Sequence, residues 1–240
     1  MSNPTAAMIV IGDEILSGRT RDSNANHLAN QMTLNGIDLK EVRIVADDEA
    51  QIITAVNTLR PLYTYVFTSG GIGPTHDDIT ADSIAKAFNV SIGVREDARA
   101  MLAMNYKNPE TDLTETRLRM ARIPDGAKLI DNPISRAPGF SLENVHVMAG
   151  VPTIFEAMLA GLIPKLDTGK LVLSETVNVP KKEGDIAKEL GLIAAQNPHT
   201  SIGSYPYYDN GLFGCNLVVR ATDEVQVAKV VQRIRDAFCK

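Results

Sequence analysis

The sequence predicts an α/β fold: a three-layer α/β/α sandwich with a mostly parallel sheet, followed by a small α+β domain. The first observation is that residues 6–90 alternate short apolar runs with amphipathic segments in the order β-α-β-α-β-α, which is typical of a parallel sheet covered on both faces. The second is that the order changes to β-α-β-β-α after about residue 168. We therefore expect two domains, residues 1–167 and 168–240.

Each element of the first domain is predicted from its hydrophobic period and its flanking residues. The apolar run that begins at Ala6 is continuous, as in a strand that is buried on both faces. Ser23 is the expected cap of the next helix, which Gly36 ends. The predicted strands are 6–14, 38–48, 64–71, 128–133 and 139–152, the last with a hairpin turn at 143–144, and the further helices are 49–61, 78–90, 95–106, 113–124 and 153–164.

The composition argues against several classes of protein. A net charge of −5 is unlike that of a general nucleic-acid binder, which would show a basic balance. No apolar run reaches the ~18 residues of a membrane span, and the N-terminus lacks the pattern of a signal peptide. Cys215 and Cys239 are too few for a disulfide framework and have no zinc-ligand spacing. We expect a cytoplasmic protein without nucleic-acid or membrane partners.

The segment TSGGIGPTHDDIT at 68–80 is richer in glycine than an ordinary turn requires. It follows the third predicted strand, and ligands of open parallel sheets bind outside the carboxyl ends of the strands. Glycines there permit positive φ and leave N–H groups open, which suits a phosphate group. The spacing fits neither the dinucleotide-binding fingerprint nor the P-loop. The candidate substrate-binding residues of this loop are Ser69, Gly70, Gly71, Gly73, Pro74, Thr75, Asp77 and Thr80.

Acidic residues flank the same predicted edge of the sheet. Asp13 and Glu14 follow Gly12 at the end of the first strand, and Asp77 and Asp78 close the glycine loop. Four carboxylates beside a phosphate would repel it, and a divalent cation such as Mg²⁺, Mn²⁺ or Co²⁺ resolves the conflict. We expect Asp13 and Asp78 to hold this metal and to be the catalytic residues, with Gly12 and Glu14 beside the substrate. The prediction requires the two segments to meet at one crevice.

Two further loops are candidates for the same site. The segments NPISRAPGF and MAGVP place glycine and proline at predicted strand ends, and the helix that follows presents its N-terminus to an anion. The candidate substrate-binding residues here are Gly139, Gly150, Pro152 and Arg136, whose guanidinium is able to bind a phosphate through two hydrogen bonds. Ordinary loop chemistry is the alternative for Arg136. Three more arginines form either an anion-facing patch or a solvated helix face: Arg117, Arg119 and Arg122.

These motifs together resemble one known family. GDEIL with the D-S-N that follows it, TSGGIGPTHDDIT, NPxxxAPGF and AGVP look like the molybdopterin-binding fold of MogA, MoaB and MoeA. Within that family, the chain is most similar to the N-terminal domain of CinA-type (competence/damage-inducible protein A) proteins. The resemblance covers about residues 5–167 and implies a three-layer sandwich. Residues 168–240 are similar to the small KH-like domain that follows it in CinA-type proteins.

The resemblance also implies a site and an activity. In the molybdenum-cofactor members, the glycine loop and the aspartate after it hold the phosphate end of the pterin. Carried to this chain, those residues are Gly70, Gly71, Gly73 and Asp78, with Asp13 opposite and Asn24 supplied by the D-S-N motif. In the CinA-type branch the same edge is associated with metal-dependent cleavage of pyrophosphates such as ADP-ribose or FAD. We therefore expect a metal-dependent pyrophosphohydrolase, a hydrolase that acts on a nucleotide diphosphate compound.

Two other functions stay open at this point. One is adenylyl transfer to molybdopterin, and the other is binding of a nucleotide or pterin phosphate, with molybdopterin as the ligand, without turnover. Ser135 and Arg136 occupy a loop in which the family often has glycine, and this difference bears on the choice of substrate. The fold family further implies a homo-oligomer.

Overall fold

The computed structural model describes residues 3–209 and 211–239, and it divides into two compact units. The first unit is Met1–Gly169 and the second is Lys170–Lys240, close to the boundary at 167–168 that the sequence predicts. Each unit has its own hydrophobic core. Within the described residues, no helix combines the length and the apolar character that a membrane crossing demands.

The first unit alternates strands and helices over most of its length. In chain order its elements are β1 (Thr5–Ile11), α1 (Asp13–Leu16), α2 (Asn24–Leu34), β2 (Asp38–Val45), α3 (Glu49–Leu59), β3 (Tyr65–Ser69), α4 (Thr80–Phe88), β4 (Ile92–Val94), α5 (Glu96–Ala103), α6 (Pro109–Asp112), α7 (Glu115–Leu118), β5 (Arg122–Pro124), β6 (Lys128–Ile130), β7 (Gly139–Leu142), β8 (Val145–Met148) and α8 (Pro152–Leu162). Short 3-10 turns at Arg119–Ala121 and Ile163–Lys165 complete it.

A six-stranded sheet in the order β2-β1-β3-β8-β7-β6 forms the middle layer. The neighbours β2, β1, β3 and β8 run parallel to one another, whereas β7 pairs antiparallel with both β8 and β6. The predicted mostly parallel sheet is therefore confirmed. Because parallel strands point the same way, the carboxyl ends of four strands lie at one edge, and the loops that leave them converge there.

The sequence forms three layers because β1 is apolar on both faces. Ala7, Ile9 and Ile11 enter a core with α3, α4 and α5, whereas Met8 and Val10 enter a second core with α2 and α8. Successive side chains of a strand point to opposite faces, so the unbroken apolar run fills both cores at once. Burial of one such aliphatic side chain contributes roughly 1.5–3 kcal/mol.

Several predicted element boundaries differ from the structure: the strand predicted at 6–14 ends at Ile11, before α1 begins at Asp13, and the strand predicted at 38–48 ends at Val45. Helix α4 begins at Thr80 and not at Asp78, because the Asp78 carboxylate instead accepts hydrogen bonds from Thr75. Ser23 is the N-cap residue of α2, as predicted, but its side chain makes no capping hydrogen bond; the Asp22 carboxylate accepts from the first two helical N–H groups instead. The segment predicted as helix 113–124 forms the short helix α7, a 3-10 turn and strand β5. Pro124 disfavours a helical conformation for the residue before it.

The second unit has the predicted order β-α-β-β-α. Its elements are β9 (Leu173–Val179), α9 (Glu183–Ala195), β10 (Ser201–Asp209), β11 (Leu212–Ala221) and α10 (Glu224–Phe238). The strands form an antiparallel sheet in the order β10-β11-β9. Apolar side chains of β9, β11 and both helices form its core, and the Asp223 carboxylate caps α10 by accepting from Val225 and Gln226 N–H.

His146 is a buried titratable group in the middle of the sheet of the first unit. It lies on β8 with 6% exposure, and its ring packs on Tyr65 and Phe67. Its Nδ1 is 2.8 Å from Ser141 Oγ, whereas Nε2 is buried without a partner. Burial lowers the pKa of His146 from 6.5 to about 4, since the protonated ring would be a charge in an apolar environment.

We predict that the first unit loses stability as pH falls from about 6.5 towards 4, because the unfolded chain binds a proton there that folded His146 excludes. The contribution is complete above pH 6.5 and is of order 3 kcal/mol at most. In His146→Gln, which keeps a polar contact to Ser141, the free energy of unfolding should vary less with pH. Urea unfolding at a series of pH values measures this.

The control for the His146 experiment is His76→Gln, since the His76 side chain is 99% exposed. It should keep the wild-type pH dependence between about pH 5 and pH 7. An identical pH dependence in His146→Gln and in the wild-type chain would contradict the prediction.

Candidate functional site

A pocket of about 500 Å³ lies at the carboxyl ends of the parallel strands. The segment after β1 contributes Gly12 and Glu14 to the pocket. The segment after β3, residues 70–78, is the glycine loop, and it contributes Gly70 to Gly73, Asp77 and Asp78. The two segments therefore meet at one crevice, as the sequence predicts. The lining residues are Ile11, Gly12, Glu14, Thr20, Asp47, Gly70, Gly71, Ile72, Gly73, Asp77, Asp78, Met120, Asn132, Ser135, Ala137, Ala149, Gly150, Val151, Pro152 and Ile154.

Two glycines of the loop are required by both conformation and space. Gly70 has φ +110°, and a Cβ there would lie 2.2 Å from the Ile11 carbonyl oxygen. Gly71 has φ +67°, and a Cβ there would lie 2.1 Å from Thr80 Oγ1. A Cβ on Gly150 would come 3.2 Å from Gly70 Cα. The loops after β1, β3 and β8 thus touch through their main chains, which leaves no room for side chains between them.

The glycine loop offers a row of free hydrogen-bond donors. Within the described part of the chain, the N–H groups of Gly71, Ile72 and Gly73 donate to no protein acceptor. The N–H of Gly70 is different, since it donates to Met148 O at 3.2 Å. Successive free N–H groups beside a positive φ form a concave site for an anion. The N–H groups of residues 71–73 are therefore candidate donors to an anion, whereas that of Gly70 is already used.

The Asp78 side chain shapes the end of this loop. Its Oδ2 accepts hydrogen bonds from Thr75 N at 2.8 Å and from Thr75 Oγ1 at 2.6 Å. The neighbouring Asp77 is exposed. Both aspartates line the pocket, and Oδ1 of Asp78 accepts no bond from the described residues. One carboxylate oxygen thus builds the turn and the other is available to a ligand.

Asp47 is an acidic residue of the pocket that the motifs do not single out. It follows β2, and its Oδ2 accepts from the Asp13 N–H at 3.0 Å. Burial raises the pKa of Asp47, and the nearby carboxylates of Asp13, Glu14 and Asp77 raise it further, against the hydrogen bond from Asp13. The sequence does carry a signal, because Asp47 and Asp48 stand at the carboxyl end of the second predicted strand.

Several predicted substrate-binding residues lie behind the pocket wall. Asn24 is 3% exposed and donates from Nδ2 to Ser69 Oγ at 2.7 Å and to Gly150 O at 2.8 Å. Thr80 is fully buried and donates to Gly70 O at 3.0 Å. Asn24, Ser69 and Thr80 are therefore placed as supports of the loops, since their side chains are buried and bonded to protein.

Other candidates from the sequence also lie outside the pocket lining. Gly139 is buried in β7, where a Cβ would lie 2.2 Å from Val147 O, so its role is close packing of two strands. Arg136 adopts φ +60° and lies 3.8 Å from Asp131, while its neighbours Ser135 and Ala137 line the pocket. The lining also omits Asp13, Pro74 and Thr75.

The charge on the pocket wall is of one sign. Four carboxylates line it, those of Glu14, Asp47, Asp77 and Asp78, and its described lining includes no Lys, Arg or His. Among residues 3–209 and 211–239, no group of three or more His, Cys, Asp or Glu side chains is arranged to hold a metal ion. A cation such as Mg²⁺ at this wall would therefore need ligand phosphates and water in addition to one or two of these carboxylates.

The pocket lining also includes apolar side chains, of which the sequence predicted only Pro152. They include Met120, Val151 and Ile154, together with Ala149 and Pro152. Val151 is 54% exposed, so the pocket has an exposed apolar side chain as well as carboxylates. A ligand with a polar phosphate end and a flat apolar end is complementary to this arrangement.

We predict that Gly70→Ala lowers the free energy of unfolding by about 3 kcal/mol or more, because it combines a positive φ with a clash against the main chain. Gly18→Ala is the matched control: Gly18 has φ +71°, and no atom lies within 4 Å of a Cβ placed there. The control isolates the conformational cost of about 1 kcal/mol. Urea unfolding of both variants measures the difference, and equal losses would refute it.

Two family models match the chain in separate segments. Residues 7–168 match the model described as a probable molybdopterin binding domain. Residues 171–240 match the model described as the middle domain of FAD synthase.

Individual relatives agree with these matches. A protein of Archaeoglobus fulgidus is 33% identical over 83% of this chain and 84% of its own length. The crystal structure of the protein CinA with unknown function from Thermoplasma acidophilum is 35% identical, with a TM-score of 0.63 over 69% of this chain and 99% of that one. A probable FAD synthase of Caenorhabditis elegans is 30% identical over 97% of this chain, which spans about half (49%) of that relative. The chain belongs to the molybdopterin-binding domain family, and its first domain is of the CinA type.

Proposed function

We propose that the chain is a metal-dependent pyrophosphohydrolase that cleaves a nucleotide diphosphate compound such as FAD or ADP-ribose. The observation that carries the proposal is the pairing of a free N–H row at residues 71–73 with four carboxylates and no basic residue on the described wall. A phosphate that binds to the N–H groups meets unfavourable charge from the carboxylates. A divalent cation between them removes this repulsion.

Each wall of the pocket has a role in the proposed reaction. The N–H groups of residues 71–73 bind phosphate oxygens, and the acidic side orients the pyrophosphate. The carboxylates of Asp78 and Glu14 are the candidates to hold the cation, because they line the pocket and Asp13 does not. A bound divalent cation would offset negative charge and polarise a phosphorus–oxygen bond. The apolar side, with Val151 and Ile154, accepts the ring of the substrate.

The chemistry is hydrolysis of the phosphoanhydride bond. Water forms a bond to one phosphorus as the bridging oxygen leaves with the other, so FAD gives FMN and AMP and ADP-ribose gives AMP and ribose phosphate. Asp47 is placed to accept a proton from the water, because burial and its acidic neighbours raise the pKa of this carboxyl. The relationship to proteins named probable FAD synthase supports FAD as the first substrate to test.

A second candidate function is binding of a pterin phosphate without turnover. The match of residues 7–168 to a probable molybdopterin binding domain favours it, and the pocket has the apolar wall that a pterin ring needs. Adenylyl transfer would need a further nucleotide site. A pterin that stays bound during purification, with no product from FAD or ADP-ribose, would favour this candidate over hydrolysis.

We predict that Asp78→Asn lowers turnover by about 100-fold or more, because it removes a negative ligand next to the phosphate site. The amide oxygen of the substituted side chain would still accept the two bonds from Thr75, so the loop should keep its fold. The assay incubates FAD and ADP-ribose separately with Mg²⁺, Mn²⁺ and Co²⁺ and separates the products by chromatography.

The control for this assay is Asp125→Asn, which removes an exposed carboxylate outside the pocket lining. It should retain wild-type turnover. Full activity of Asp78→Asn with every metal would contradict the role of Asp78 as a cation ligand. Hydrolysis that persists in excess chelator would rule out the metal requirement.

A further inference from the structure

Two arginines line a small cavity that shares part of its lining with the pocket. Arg119 and Arg122 line a small cavity of about 10 Å³ together with Gly71, Gly73 and Asp78. These three loop residues also line the large pocket. The glycine loop therefore contacts both cavities, and the arginines lie next to residues that also line the pocket.

The two arginines differ in how their charge is balanced. Arg122 forms a salt bridge with Asp82. Arg119 is half-buried, and no described carboxylate lies within ion-pair distance of it; its Nη2 donates to the main-chain carbonyl of Asp78 at 3.1 Å. The Nε of each arginine is buried without a partner. A half-buried guanidinium with no counter-charge is costly, so its position in the folded chain requires a reason.

The contact to Asp78 gives Arg119 a direct influence on the phosphate site. Thr75 holds the Asp78 side chain, and Arg119 holds the Asp78 carbonyl, so both ends of this residue are fixed. The positive charge lies beside the segment whose N–H groups are free. In this partly buried environment, charge acts over a short distance with little screening.

We propose that Arg119 is the positioning residue of the phosphate site, an inference that rests on the proposed function. Its guanidinium fixes the Asp78 main chain and supplies, from the adjoining cavity, the positive charge that the pocket lining lacks. A bound phosphate is the missing counter-charge of Arg119. Arg122 does not have this role, because Asp82 already neutralises it.

Four variants test this inference by calorimetric titration with ADP in the presence of Mg²⁺. Arg119→Met removes the charge and the hydrogen bond, Arg119→Gln removes the charge but keeps a donor, and Arg119→Lys keeps the charge. Arg122→Met is the matched control from the same cavity. Arg119→Met and Arg119→Gln should weaken ADP binding about tenfold or more, as expected for the loss of one charge-assisted interaction. Arg119→Lys and Arg122→Met should stay within about threefold of the wild-type affinity.

Kinetics and unfolding separate positioning from a purely structural role. For FAD hydrolysis, Arg119→Gln should raise KM by a factor similar to its loss of ADP affinity, with a smaller change in kcat, since the charge is used in binding. Its urea unfolding midpoint should match that of Arg119→Lys. Equal ADP affinities for Arg119→Gln and Arg122→Met, or no recovery in Arg119→Lys, would overturn the inference.

The same experiment distinguishes this inference from the proposed function. If the wild-type chain hydrolyses neither FAD nor ADP-ribose but loses ADP affinity only in the Arg119→Met and Arg119→Gln variants, the hydrolase proposal fails and the inference stands. If hydrolysis is observed and these variants bind ADP as the wild-type chain does, the inference fails and the hydrolase proposal stands. A wild-type chain that binds no ADP overturns the inference.

Discussion

The pocket depends on the contact between the main chain of Gly70 and the end of β1. No side chain fits at this position, because the Ile11 carbonyl oxygen occupies the place of a Cβ. The Gly70 N–H in turn donates to Met148 O, and Thr80 Oγ1 donates to Gly70 O. Three neighbouring strands are thereby joined just beyond their carboxyl ends. The loops that follow must diverge around this point, and the pocket is the space between them.

Buried polar side chains stabilise this contact between the ends of β1, β3 and β8. Asn24 reaches from the start of α2 to Ser69 and to the Gly150 carbonyl, so one amide group links a helix to two strand ends. Its Oδ1 is buried without a partner, and such an atom costs roughly 1–3 kcal/mol. The polar contacts therefore contribute less to stability than to specificity, since an apolar side chain would not fix the positions of Ser69 and Gly150.

The layers and most of the pocket could be predicted because they follow from local patterns. The unbroken apolar run of β1 predicts a strand buried on two faces, and parallel strands bring residues 12–14 and 70–78 to one edge. The predicted start of α4 was wrong because Asp78 has two possible partners, a helix N-terminus or Thr75, and the sequence does not show which one prevails. The residues Asp209-Asn210-Gly211 also predict a hairpin turn, and Asn210 lies outside the described residues.

Side chains that act across elements were harder to predict. Arg117, Arg119 and Arg122 are close in sequence, yet Arg117 packs over Tyr106 and donates to Asp112 O, while the other two lie beside the glycine loop. The difference arises because a short helix gives way to a 3-10 turn and then to β5, which rotates successive side chains to different surroundings. A pattern of charges in the sequence contains no information on that rotation.

The charges around the pocket couple its ligands to one another. In the proposed function, a cation lowers the repulsion that Asp47 and Asp77 exert on a phosphate, and the phosphate supplies oxygen ligands that the carboxylates alone do not provide. Each ligand therefore strengthens binding of the other by the same factor, as linkage requires. Protons compete in the same scheme, because burial and acidic neighbours raise the pKa of Asp47. A protonated Asp47 repels the phosphate less but also attracts the cation less, so cation binding weakens as pH falls through the raised pKa of Asp47.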